Sequence, residues 1–348
     1  MTSPATAAEI RRILSGTRLA QSVSAFASLG VADAIADGAK TVDAIAKAVE
    51  ADPTALYRLL RTLAAAGLLE EDGERRFSLT ELGTALRRDV PGSVREQAIL
   101  FGHPDMLAAW ANVEHAIRTG ENAYAALFGE PVWERRARDP EQQAAFNRAM
   151  AVVTAPLGPV LAAAYDFGAV RTVADVGGGN GTLLAGVLAA HGHLRGIVFD
   201  QPAVVADAEP VLEAAGVADR AEAVGGSFFE SVPAADVYLM KAILHDWPDA
   251  ESIRILETIR AAGPASTLLV IDRVLGGPNE DLEGKLMDLH MLVMPGGLER
   301  TLAEWRRLFT AGGWTLEDVK PLLGGWQMIR GLPAASSVST ASAACAPG

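Results

Sequence analysis

The sequence predicts an α/β chain in which an N-terminal, mostly helical module precedes a parallel sheet covered by helices on both faces. Three observations predict it. Short Ala/Leu-rich helical segments fill the first hundred residues, short apolar strands alternate with helical segments from Arg171 onward, and a glycine-rich turn follows the first of those strands. Half of the 348 residues are apolar, which allows large buried cores and excludes a disordered chain. The single cysteine, Cys345, excludes a disulfide framework and a cysteine-built zinc site. No apolar run reaches the ~18 residues that cross a bilayer, so no membrane association is expected. The first residues lack a charged-then-apolar leader, and the chain reads as a reducing, cytoplasmic protein. A net charge of −13 argues against nucleic acid, whose phosphates need clustered Lys and Arg.

The composition shifts divide the chain into residues 1–102, a helical connector over 103–168, the strand-and-helix region 169–333, and an Ala/Ser/Thr tail over 334–348 that is expected to fray. In the first part Thr41 is an N-cap candidate for a helix that Asp52-Pro53 ends. A second helix, about Thr54 to Ala66, carries Leu56, Leu59, Leu60 and Leu63 on one face, and Gly67 terminates it. Residues 68–79 read as two short strands around Asp72-Gly73. Helix, turn, helix and hairpin form a winged-helix outline. Residues 1–100 hold 12 Lys/Arg against 13 Asp/Glu, and the second helix presents only Arg58 and Arg61. The module therefore reads as a packing or dimerisation unit rather than a DNA reader.

In the third part the strands are Thr172–Val176, Ile197–Phe199, Val237–Met240 and Leu268–Ile271, with a helix over 250–262 behind the N-cap candidate Asp249. Ligands of such sheets bind beyond the carboxyl ends of the strands. The loop Asp175-Val176-Gly177-Gly178-Gly179-Asn180-Gly181 fails the G-x-G-x-x-G spacing of a dinucleotide site; its pattern is acidic-x-G-x-G-x-G. Asp175 would repel a pyrophosphate and favour a cation. Asp200 lies 23 residues after Gly177, at the end of the next strand, where a carboxylate accepts hydrogen bonds from ribose hydroxyls. S-adenosylmethionine, an adenosine joined to a cationic amino acid, meets both demands.

His245 follows the strand ending at Met240, on the rim that carries the glycine loop. Methyl transfer to a hydroxyl needs the oxygen deprotonated, and histidine removes protons near neutrality. Asp272 ends the next strand and Glu299 lies further on; a carboxylate on one ring nitrogen frees the other as a base. Asp246 is adjacent to His245. No paired spacing such as H-E-x-x-H is present, so no metal is expected. Met287, Met291 and Met294 recur at helical spacing and fit either a buried helix face or a soft pocket wall.

These motifs carry a resemblance. Asp175-Val176-Gly177-Gly178-Gly179, Phe199-Asp200-Gln201-Pro202, Gly226-Ser227-Phe228-Phe229, Leu244-His245-Asp246-Trp247 and Gly296-Gly297-Leu298-Glu299-Arg300-Thr301 together resemble the small-molecule O-methyltransferases of the caffeic-acid type, including bacterial enzymes of antibiotic and polyketide tailoring. The resemblance implies a Rossmann-like class I methyltransferase sheet behind a winged-helix dimerisation domain, and a homodimer. It places Asp175, Gly177, Gly179, Asp200, Ser227, Phe228 and Lys241 on the cofactor. His245 becomes the general base, with Asp272 and Glu299 beside it. Phe146, Asn147 and Met150 match a helix lining the cofactor and acceptor, Met291 and Met294 match acceptor-pocket positions, and Asp246 is placed with the acceptor or serves structurally. Two positions depart from the family pattern: Ser227 stands where an acidic residue is common, and Asp272 replaces a commoner Glu. The reading is methylation of an aromatic or enolic hydroxyl of a secondary metabolite, without metal. Its alternatives are methylation of nitrogen or carbon, non-methylating use of the cofactor, and a winged-helix regulator that senses a ligand.

Overall fold

The structure, a computed structural model, describes residues 3–335. The described residues form two compact units, one of residues 3–157 together with Leu289–Gly296, the other Gly158–Asp288 together with residues 297–335.

The first unit begins with helices Pro4–Ser28, Val31–Ala36, Val42–Ala48 and Pro53–Ala65. Local sequence explains their ends. Thr41 accepts a hydrogen bond from the Ala44 amide, and Asp52 accepts one from the Ala55 amide. Gly67, at φ +84°, closes the fourth helix as Leu68 N–H reaches back to the Leu63 carbonyl. Leu56, Leu60 and Leu63 are buried with Phe26, Ile45 and Phe77, while Leu59 packs at the margin of this core. Strands β1 (Leu69–Glu71) and β2 (Phe77–Leu79) form the antiparallel hairpin. Its turn differs from the expectation. Arg75, not Gly73, takes the left-handed conformation, at φ +57°, because the Asp72 carboxylate accepts the Glu74 and Arg76 amides and fixes a longer loop. Arg61 and Arg75 lie over the Tyr57 ring, at 5.6 and 4.7 Å from its centre. A second core gathers Met106, Ala109, Tyr124 and Val132 with Val293 and Met294.

The second unit is built on β3 (Thr172–Val176), β4 (Arg195–Asp200), β5 (Ala221–Gly225), β6 (Val237–Lys241) and β7 (Thr267–Asp272). Short β8 (Val274–Leu275) and β9 (Arg300–Thr301) pair with each other, and β10 (Trp314–Pro321) and β11 (Gln327–Pro333) complete the main sheet. The order is β10-β11-β7-β6-β3-β4-β5, parallel from β7 to β5 and antiparallel at β10 and β11. The sheet is thus mostly parallel rather than wholly so. Strand residues alternate between faces. Ala174, Val176, Tyr238, Met240, Leu268 and Val270 pack with the helices Asp249–Ala262 and Leu302–Ala311, and the intervening Val173, Leu239 and Leu269 are buried as well. The chain reverses its direction across the sheet between β3 and β6, which creates the switch point where such sheets bind ligands.

Asp249 is not the N-cap of its helix. Pro248 holds that position, and Asp249 occupies the first turn with its carboxylate on Arg300. Of the expected tail, the Ala334 amide donates to the Gly313 carbonyl; residues 336–348, with Cys345, lie outside the described residues. Among the described residues no single helix is long and apolar enough to cross a membrane.

Candidate active site

Two clusters meet at the carboxyl ends of β3, β4, β6 and β7. The first is the glycine turn after β3. Gly177 and Gly179 take φ of +73° and +58°, which side chains rarely adopt. A Cβ on Gly177 would lie 2.3 Å from Ile243 Cδ1. The Gly177 and Gly178 amides donate to the Phe199 carbonyl, and the Gly179 amide donates to Asp200 Oδ2 at 2.9 Å. Asp200 Oδ1 accepts the Gln201 amide at 2.7 Å, so this carboxylate is fixed at the mouth of the turn. Asp175 is buried, and its Oδ2 has no hydrogen-bond partner. Burial, then the nearby Asp200 charge, push its carboxyl up to about 7. Two crowded carboxylates beside a bare turn, one with an unmatched oxygen, fit a cationic ligand.

Lys241 ends β6 with its ammonium 4.5 Å from the centre of the Trp326 ring. Burial pushes it down to about 8, against the attraction of Asp272, Asp175 and Asp246. Ser227 Oγ accepts the Phe229 amide, and Phe228, Phe229 and Trp247 form an edge-to-face aromatic group.

The second cluster is centred on His245, in a single 3₁₀ turn, Leu244–Asp246, after β6. His245 Nδ1 lies 2.9 Å from Glu299 Oε1 and 3.3 Å from Asp272 Oδ1, and Nε2 lies 3.6 Å from Asp246 Oδ1. His245 is 7% exposed, Asp272 0% and Glu299 2%. Burial opposes the charged ring, but Asp272, Asp246 and Glu299 overcome it and push the imidazole up to about 10. Burial first, and Glu299 as well, push Asp272 up, although the His245 charge favours its ionised form. Ala242, between Lys241 and this turn, is held at φ +54°, a strained value for a non-glycine residue. His245, Asp272 and Glu299 also form, among the described residues, one group whose ligand atoms are close enough to hold a metal ion. The two-residue spacings of metal motifs do not show such a group, because its members come together only through the fold.

The remaining candidates belong to the other compact unit. Phe146, Asn147 and Met150 lie on the helix Pro140–Thr154, where the Arg136 guanidinium sits 3.8 Å from the Phe146 ring centre and Gln143 donates to Asn147 Oδ1. Met291 and Met294 are buried, and Met294, just past the end of the helix Leu282–Val293, packs in a core of that unit.

The fold and the glycine turn define an adenosyl-cofactor methyltransferase with an appended helical module, and the comparisons agree. Residues 110–315 match the family model of the O-methyltransferase domain, and residues 12–89 match the O-methyltransferase dimerisation domain. The chain belongs to this family, is an S-adenosylmethionine-dependent O-methyltransferase of the secondary-metabolite type, and takes S-adenosylmethionine as cofactor. It is 41% identical over 324 residues to the phenazine O-methyltransferase PhzM of Lysobacter antibioticus, covering 92% of this chain and 95% of that one. The crystal structure of NcsB1 from neocarzinostatin biosynthesis, in complex with S-adenosylmethionine and 2-hydroxy-5-methyl naphthoic acid, is similar with a TM-score of 0.80 and 36% identity, covering 90% of this chain and 96% of that one. An 8-amino-8-demethylriboflavin N,N-dimethyltransferase of Streptomyces davaonensis is 36% identical over 88% of this chain and 89% of its own length.

Proposed function

We propose that the protein methylates a phenolic or enolic hydroxyl of an aromatic secondary metabolite, with His245 as general base and no metal. The observation that carries this reading is the set of three carboxylates, Asp272, Glu299 and Asp246, that surrounds one buried imidazole. An ordinary histidine, near 6.5, is too weak for a phenol near 10: the transfer would run about 5 kcal/mol uphill. Pushed up to about 10, the His245 ring matches such a hydroxyl once it is neutral, and the proton then passes between them at little cost. Glu299 on Nδ1 fixes the tautomer and leaves Nε2 for the acceptor. S-adenosylmethionine supplies an electrophilic methyl group. Asp175, Gly177, Gly179 and Asp200 hold it, with Lys241 nearby and Ser227 and Phe228 along the adenine. Phe146, Asn147, Met150, Asp246, Met291 and Met294 are assigned to the acceptor side on the family resemblance. The dimerisation-domain match supports a homodimer, and we assign the enzyme to the cytoplasm, with no nucleic-acid partner.

Incubation with methyl-labelled cofactor and a panel of hydroxylated aromatic acceptors tests the reading. Mass spectrometry should show a gain of one methyl on oxygen, at a rate unchanged by a chelator. Methylation of an aromatic amine alone would favour the second reading, which the N,N-dimethyltransferase relative supports. A chelator-sensitive rate would transfer the role of the His245 cluster to a metal.

Asp200→Ala tests the cofactor assignment separately. Hydrogen bonds to a charged group are worth about 1.5–3 kcal/mol. Loss of this carboxylate should weaken cofactor binding by roughly 10–100-fold in calorimetry, and an unaltered dissociation constant would contradict the ribose contact.

A further inference from the structure

We propose that Arg300 is a positioning residue: its guanidinium holds the turn that carries His245 at the distance Glu299 requires. The inference rests on His245 being the base. Arg300 lies in β9 and is fully buried. A guanidinium in a protein interior needs partners for its donors. Here Nη1 donates to the Leu244 carbonyl at 2.8 Å, and Nη2 donates to the Trp247 carbonyl at 2.9 Å. These two carbonyls bracket His245-Asp246. The rest of the fork, Nε and Nη2, engages Asp249 Oδ1 at 2.9 and 2.8 Å, and Nη2 also reaches Ser252 Oγ at 3.3 Å.

Three consecutive residues grip the same turn. The Leu298 amide donates to the His245 carbonyl at 2.9 Å, Glu299 takes the ring at Nδ1, and Arg300 takes the carbonyls on either side. Side chains in an extended segment alternate in direction, so Glu299 and Arg300 act on different parts of one target. The base and its carboxylate are 54 residues apart in sequence, and this clamp joins them. Lysine cannot replace the fork, because one ammonium does not span two carbonyls and a carboxylate.

A double-mutant cycle of Arg300→Lys with His245→Ala tests the assignment, reading kcat, cofactor affinity and the thermal midpoint. Displacement of a reacting group by about 1 Å can cost about 100-fold in rate. Arg300→Lys should lower kcat by about 10–100-fold with cofactor affinity within about threefold of wild type. In the His245→Ala background the same change should cost less than about threefold, since the group it positions is gone. Equal losses in both backgrounds, or no loss in either, overturn the positioning role. If His245→Ala alone keeps the wild-type rate, the base assignment itself has failed, an outcome separate from an additive cycle. Should Arg300→Lys not fold, Asp249→Ala enters the cycle in its place. The Asp249 side chain is 63% exposed, so its loss should leave the fold intact. It should lower kcat by about 3–10-fold only when His245 is present, and Asp249→Asn, which keeps the accepting oxygen, should restore most of the rate.

Discussion

His245→Ala is expected to lower kcat by roughly 10²–10⁴-fold, the usual contribution of a general base. Cofactor affinity should stay close to wild type, because the ring's ion-pair partners are Glu299, Asp272 and Asp246 rather than the glycine turn. The pH dependence makes the assignment specific. The reactive ring is the neutral one, and the three carboxylates hold the proton on it up to about 10 in the ligand-free protein. Wild-type kcat/KM should therefore rise with pH into the alkaline range, not level off near 6.5. In the ternary complex the cofactor's positive charge disfavours the imidazolium, so the kcat profile should turn at lower pH than the kcat/KM profile. His245→Ala should remove that limb as well as the rate. A mutant that is slow but keeps the wild-type profile would mean that another group carries the proton. His245→Gln, which fills the site and can still donate an N–H to Glu299 without titrating, separates loss of the base from loss of packing and of that hydrogen bond.

What the sequence made legible was what its local chemistry encodes. An acidic strand end followed by glycines can be recognised without the fold, and Asp175, Gly177 and Gly179 lie where the pattern placed them. Gly67 and Thr41 mark helix ends because the caps are made by those residues themselves. The contacts of His245 are a different matter. Its carboxylates come from 27 and 54 residues downstream, and no spacing records that Asp272 Oδ1 and Glu299 Oε1 converge on one nitrogen. The sequence likewise suggested a base of ordinary strength, since the tuning depends on burial and three nearby charges. Strands β5 and β10 escaped the apolar-run search because they are partly exposed and carry Glu222, Glu317 and Asp318. Asp249 has the residue type of an N-cap, but a buried Arg300 decides its use. Long-range charge pairing overrides local preference there, as it does throughout the site.

Gly297→Ala should damage both the fold and the chemistry. This glycine is buried, and a Cβ on it would lie 1.9 Å from the His245 carbonyl oxygen, 2.4 Å from the Asp246 carbonyl carbon and 2.8 Å from the Asp246 Cα. All three are backbone atoms, so no side-chain rotation relieves the overlap. The 3₁₀ turn must retreat from residues 298–300, breaking the hydrogen bond from the Leu298 amide to the His245 carbonyl and lengthening the His245–Glu299 contact. Overpacking in a close-packed interior costs about 1–3 kcal/mol, and the thermal midpoint should fall accordingly. The rate should fall further than stability alone predicts, by about 100-fold or more in kcat at temperatures where the variant is fully folded, because the displaced group is the base. Cofactor binding should change less than kcat, since the glycine turn after β3 keeps its own bonds to Phe199 and Asp200. A Gly297→Ala protein with native kcat would mean that the turn can move freely without consequence, and that close support of His245 by the 298–300 segment is not what sets the rate.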